Sequence, residues 1–300
     1  MIFESDNEGF TSYRLSNDAV ELLVVPEIGG KIVSLKHPNG REWLWRNPHL
    51  SQQKPIYGES FVQLHDTGGW DECFPTVNHC TLASGVQLPD HGELVTQAWQ
   101  VDQSTDQSIS LSVEGVRLDY RFTRSISLED DGVRLTYRIE NPSRQDLPFL
   151  WCAHPLFSIE PAMTIHLPGA PKGKLTYATD RFADGTEFVW PYLGGLDLSV
   201  PDPEARIGLK SFVGPLDEGW VALRTQQEQI TLSFDTNKVP HVAFWMNYGA
   251  WSGSGSEPYR NLGIEPCIGA FDSLSEANPA PVIRGNDSLK WSLKVAIRQL

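Results

Sequence analysis

Hydrophobic side chains recur at every second position along much of this chain, and that period constrains the fold more than any other feature. Ile109, Leu111 and Val113 alternate with Ser108, Ser110 and Ser112. Val133, Leu135, Tyr137 and Ile139 alternate with Arg134, Thr136, Arg138 and Glu140, and Ile230, Leu232 and Phe234 with Thr231, Ser233 and Asp235. Near the carboxyl end Leu289, Trp291, Leu293, Val295 and Ile297 hold the same phase. Successive side chains of a strand point to opposite faces, so these runs predict half-buried strands of antiparallel sheet. Tyr120, Phe122, Ile126 and Leu128 also keep one phase, with Arg124 interrupting it. Turn signals such as Glu129-Asp130-Asp131-Gly132, Asn141-Pro142 and Pro38-Asn39-Gly40 separate the runs. No segment shows a capped helical stripe of a dozen residues. The expected fold is therefore all-β, a large antiparallel β-sandwich. With no linker, repeat or low-complexity run, residues 1–300 are expected to form one domain.

The chain carries 38 acidic against 24 basic residues, a net charge of −14. Nucleic acids are held chiefly by Lys and Arg on phosphates, so the charge argues against a nucleic-acid partner and disfavours an anionic membrane surface. No run approaches the eighteen or so apolar residues of a membrane helix. Met1-Ile2-Phe3-Glu4-Ser5-Asp6 has neither the basic nor the apolar region of a secretory leader. Four scattered cysteines, Cys73, Cys80, Cys152 and Cys267, read as reduced thiols in a cytoplasm. The ten tryptophans exceed what packing demands. Most are expected in the core and the remainder as flat platforms for a ligand with apolar faces and wet edges, such as a pyranose.

Two segments break the alternation. Leu147-Pro148-Phe149-Leu150-Trp151-Cys152-Ala153 is continuously apolar and runs into His154, and Asn261-Leu262-Gly263-Ile264 runs into Glu265. Each titratable residue is expected at the end of a buried strand, just before a proline (Pro155, Pro266) that ends regular pairing. A lone histidine there is more often structural, and spacing alone does not bring these groups together. Two Gly/Pro-rich turns add polar candidates: Pro89-Asp90-His91-Gly92-Glu93 and Gly68-Gly69-Trp70-Asp71-Glu72-Cys73-Phe74-Pro75. The two glycines before Trp70 indicate a close approach of the backbone to something. Trp70, Asp71 and Glu72 are accordingly candidate substrate-binding residues, against the alternatives of core packing and a solvated loop. Asn247, in Trp245-Met246-Asn247, is a further candidate for bonding a hydroxyl.

Taken in order, these segments resemble the aldose 1-epimerase (galactose mutarotase-like) superfamily. Val25-Pro26-Glu27-Ile28-Gly29-Gly30 resembles its opening hairpin and Glu42-Trp43-Leu44-Trp45 the strand that follows. Gly69-Trp70-Asp71-Glu72-Cys73-Phe74-Pro75, Asp90-His91-Gly92, His154-Pro155-Leu156-Phe157 and Glu265-Pro266 resemble its cleft segments. The resemblance implies a supersandwich, a small-molecule sugar partner in a central cleft, and no cofactor or metal. It also implies Glu265 as general base, His154 as general acid and His91 as a polarising hydrogen-bond donor. Ring opening needs a base on the anomeric hydroxyl and an acid on the ring oxygen. An ionised glutamate and a histidine whose proton is held by a nearby carboxylate would serve.

The chain departs from the family in two places. The Asn-Arg pair of the hexose branch is missing, and where the hexose-6-phosphate branch has Arg after its His-Gly turn this chain reads Glu93-Leu94-Val95. Arg260, Arg181 and Lys54 remain as cations for an acidic substituent. Two rival readings stay open. One is a non-catalytic sugar-binding module. The other is a metal-dependent isomerase drawing on His65, Asp66, Asp71, Glu72, His79, His91 and Glu93. A monomer or homodimer is expected.

Overall fold

The computed structural model of the chain describes residues 2–179, 181–253, 257–275 and 279–300. Among them, two large antiparallel sheets carry the architecture. The smaller is eight-stranded and gathers most of the alternating runs: Ser108–Glu114, Arg121–Glu129, Gly132–Glu140, Ser288–Gln299 and Glu228–Phe234 lie side by side within it. Its inward residues, including Ile109, Leu111, Phe122, Tyr137, Leu232 and Leu293, pack in one core with Trp43, Trp70, Trp151 and Phe157 of the other layer. The β-sandwich expected from the alternation is thus observed.

The larger sheet has thirteen strands. Its central part runs Lys31–Lys36, Trp70–Cys73, Trp151–Phe157, Arg260–Ile268, His241–Tyr248, Gly208–Val213, Lys172–Ala178. Several of these strands are buried on both faces. Trp151–Phe157 and Gly208–Val213 contain no exposed residue, which is why their sequences show no alternation. One face meets the core, and the other floors a cleft.

Arg124 breaks its run because it has a partner across the sandwich. It is fully buried, and its Nη1 donates to Glu72 Oε1 at 3.2 Å. The Tyr137 hydroxyl donates to the same oxygen at 2.9 Å, and Trp151 Nε1 donates to Oε2 at 3.0 Å. Burial raises the Glu72 carboxyl to about 7 against the opposing pull of Arg124 and these donors.

Candidate active site

The register of the central strands sets side chains in rows across the cleft floor. His154 lies opposite Asp71 on one side, and Glu265 lies opposite Ala243 on the other. Trp151 and Cys152 pair with Ile268 and Cys267, and Leu156 and Phe157 with Gly263 and Leu262; continuing that register sets His154 beside Glu265. No pairing occurs across residues 153–155 in this ladder. Both strands carry a proline there, Pro155 and Pro266, and a proline has no N–H to donate. The sequence predicts His154 and Glu265 at strand ends. They lie instead mid-strand in Trp151–Phe157 and Arg260–Ile268, because the prolines remove ladder bonds locally without ending the sheet. One row further along the same face come Leu156, Gly263, Trp245, Lys210 and Tyr177.

Above this floor is a cavity of about 290 Å³. His154, Leu156, Lys210, Tyr177 and Trp245 line it from the strands, and Asp66, Asn78, Asp90, His91, Trp251 and Asp272 line it from loops. Trp245 and Trp251 meet edge-to-face, with centroids 5.1 Å apart, and form its aromatic wall. Six of the ten tryptophans, including Trp43, Trp70 and Trp291, belong to the core. His91 stacks on Phe61, from the π-helical turn Phe61–His65, at 4.2 Å, and its ring meets His154 edge-on at 5.1 Å. The Asp90 carboxylate lies 3.1 Å from His91 Nδ1.

Glu265 lies under His154, fully buried, with Oε1 3.7 Å from His154 Nε2. Its other oxygen, Oε2, accepts hydrogen bonds from the Lys210 ammonium and, at 3.1 Å, from the Cys152 thiol. Burial opposes a charge on Glu265, yet Lys210, His154 and Cys152 together hold its carboxyl below the ordinary value.

Burial likewise dominates at His154 and pushes it down to about 3, although Glu265 is adjacent. The free site therefore holds His154 neutral, contrary to the expectation of a proton kept there by a carboxylate. The Glu265 charge already has an ammonium beside it. His91 is the opposite case: burial disfavours its charge, but Asp90 and Asp66 raise it above its ordinary 6.5.

The Asp90–His91 pair yields a direct expectation. Asp90→Asn removes the nearest charge that favours the imidazolium, so the His91 midpoint should fall by about one unit or more. Ring-proton NMR of the two histidines reads this, and an unmoved midpoint would show the pairing to be inconsequential. In the wild type His91 gains a partner on folding, so its stabilising share is complete below pH 6.5 and fades as pH rises through its folded midpoint. Asp90 is held below 3.8, despite burial, by His91, so its share is present above that pH and fades as pH falls through its own folded midpoint.

The structure separates the remaining candidates. Trp70 and Glu72 point into the core, where Glu72 serves the Arg124 network, so neither lines the cavity. Asp71 is on the cleft face, but its Oδ2 is 2.8 Å from buried Lys31 Nζ, and it too is not part of the cavity lining. The close approach at Gly68 and Gly69 is to backbone rather than ligand. A Cβ there would lie 2.1 Å from Trp45 O and 2.7 Å from Ile32 O. Asn247 acts one step removed: its side chain bonds both the N–H and the C=O of Trp251 and fixes that indole against the cavity. Arg260 donates to Pro203 O, and neither it nor Arg181 nor Lys54 lines the cavity.

Of the residues raised as metal ligands, His65 meets Glu59, Glu93 accepts the Tyr57 hydroxyl, and His79 is exposed. Among the described residues no group of three or more His, Cys, Asp or Glu is arranged to hold a metal ion. Lys210 escaped the sequence reading. The sequence Gly208-Leu209-Lys210-Ser211-Phe212-Val213 carries no pattern that marks the lysine as buried.

The family model described as aldose 1-epimerase matches residues 11–187, more than half of the chain. The chain belongs to the aldose 1-epimerase family. The matched span contains His91 and His154 and ends before Lys210 and Glu265. Solved structures extend the likeness of fold across the rest. A galactose mutarotase-like protein from Clostridium acetobutylicum has a TM-score of 0.71 at 15% identity, covering 100% of this chain and 99% of that one. The galactose mutarotase related enzyme from Lactobacillus acidophilus gives 0.71 at 13% identity, over 96% and 97%. Slr1438 from Synechocystis sp. PCC 6803 gives 0.71 at 18% identity, over 99% and 98%. No curated protein sequence matches this chain. Among the described residues no helix is long and apolar enough to cross a membrane.

Proposed function

We propose that this aldose 1-epimerase family member interconverts the α and β anomers of a neutral free sugar by acid/base ring opening in the cavity. The observation that carries the reading is Glu265 Oε1, which accepts no hydrogen bond among the described residues, 3.7 Å from the cavity-lining His154, whose ring in turn meets that of His91. Glu265 takes the proton of the anomeric hydroxyl as the bond from C1 to the ring oxygen breaks. The ring oxygen takes a proton from the imidazole pair. His91, whose charged form Asp90 and Asp66 favour, is the donor, and His154 is its neutral neighbour. Rotation about C1–C2 and the reverse transfers close the ring on its other face. The Trp245–Trp251 wall suits the apolar face of a pyranose, and the polar rim suits its hydroxyls. NMR saturation exchange between anomers, run over a panel of free sugars, tests the reading. Binding without exchange would favour a non-catalytic sugar-binding module instead.

The rim also argues for a substrate without an acidic substituent. Asp66, Asp90 and Asp272 line the cavity, while Lys210 is engaged by Glu265. A phosphate requires charge-assisted donors to offset its desolvation. Glucose 6-phosphate is therefore expected to be turned over no better than glucose. A preference for the phosphate of about tenfold in kcat/KM, or about 1.4 kcal/mol, would overturn this.

A further inference from the structure

We infer that Lys210 and Cys152 are positioning residues that occupy one oxygen of Glu265 and leave Oε1 as the basic oxygen of the site, with Gly263 leaving room beside that oxygen. The inference rests on the acid/base reading above and concerns how its base is built.

Three independent contacts carry it. Lys210 reaches Oε2 from the strand Gly208–Val213, and Cys152 reaches the same oxygen from Trp151–Phe157 at 3.1 Å. Oε1 is buried, accepts no hydrogen bond among the described residues, and sits 3.7 Å from His154 Nε2. Gly263 lies two residues before Glu265 on the same face, and a Cβ there would stand 2.6 Å from Oε1 and 3.0 Å from Trp245 Cβ. Any side chain at 263 would therefore press on the oxygen that must receive the proton.

An ammonium and a thiol on Oε2 draw electron density from that oxygen and fix the carboxylate plane. A transferred proton then has one lone-pair-bearing oxygen free to accept it. The same ammonium keeps the base ionised in a buried setting that would otherwise neutralise it. Other groups around Glu265 are His154 in the same row, Cys73 and Cys267 one row along, and Asp272 beyond Lys210.

The test reads the Glu265 midpoint twice, from the acid limb of kcat/KM and from the carboxyl ¹³C titration of substrate-free protein. Lys210→Met should raise the midpoint by about one to three units, Lys210→Arg should restore it, and Cys152→Ala should raise it by less. Gly263→Ala should lower kcat at least about tenfold while leaving the carboxyl titration near the wild-type value. A merely structural Lys210 would lower Tm in the Met variant without moving either midpoint. If Lys210→Met does not fold, Cys152→Ala decides the issue through the same titration. Unmoved midpoints in the folded variants, or full turnover by Gly263→Ala, would overturn the inference. Absence of anomer exchange in the wild type would instead remove the functional reading, while the titration would still judge the positioning of Glu265.

Discussion

Replacing Glu265 with Gln is expected to slow anomer interconversion by roughly 10²–10⁴-fold, the usual worth of a positioned acid or base. Gln keeps the volume of the side chain but cannot take a proton at Oε1. It also leaves the Lys210 ammonium buried without its counter-charge, so the thermal midpoint should fall as well. Replacing His154 with Ala should cost a similar factor in rate with a smaller loss of stability, because His154 is neutral in the free site and the Lys210 ammonium still balances Glu265. The double variant should be little slower than the worse single variant, since the two groups act on one proton-transfer step. Saturation-exchange NMR measures all three. Near wild-type exchange in either single variant would sink the assignment of that residue.

The second large effect lies in the core. Arg124→Met is expected to destabilise the protein by about 3–5 kcal/mol, because Glu72 would remain buried with its carboxylate uncompensated. Glu72 already titrates near 7, above its unfolded 4.5, and losing Arg124 should raise it further. A carboxyl raised in the folded state favours the fold most at low pH. Wild type loses the same share up to its own midpoint, so the deficit of the variant should stay level up to about pH 7 and widen as pH rises from there toward the new folded midpoint. Adding Glu72→Gln should recover part of the loss at neutral pH. Denaturant unfolding at two pH values checks both statements. A pH-independent deficit would show that Arg124 acts through packing alone. Glu72→Gln by itself should leave sugar binding unchanged, since Glu72 points away from the cavity.

These two networks show how far the residues could be read in advance. His154 and Glu265 stood out because each followed a non-alternating apolar run and preceded a proline. In the structure those prolines open a gap in the ladder between two central strands, and the gap is where the pair sits. Trp70, Asp71 and Glu72 stood out for an equally local reason, a glycine pair. That signal reports close approach but not what approaches. Here it was the backbone of Trp45 and Ile32, and strand alternation sent Trp70 and Glu72 to the core while Asp71 faced Lys31. Arg124 appeared as a flaw in its run because its partner lies 52 residues earlier in the chain.

The alternation of apolar and polar residues was enough by itself to determine an antiparallel sandwich, because which face of a strand meets water is settled by its own residues. Sequence order and turn chemistry also brought out His91, His154 and Glu265 as the candidates for chemistry. Tertiary structure decided the rest. Lys210 meets Glu265 across an intervening strand, 55 residues away in sequence, and that contact sets which oxygen is free and which charge the base carries. The protonation of the two histidines was decided in the same way. His91 and His154 have the same intrinsic affinity for a proton and are both buried, and what differs is the charge around them: Asp90 and Asp66 near one, a glutamate already paired with Lys210 beside the other. Local sequence specifies strand faces and turns, but the electrostatic state of a buried group depends on every charge that folding brings within a few ångströms of it.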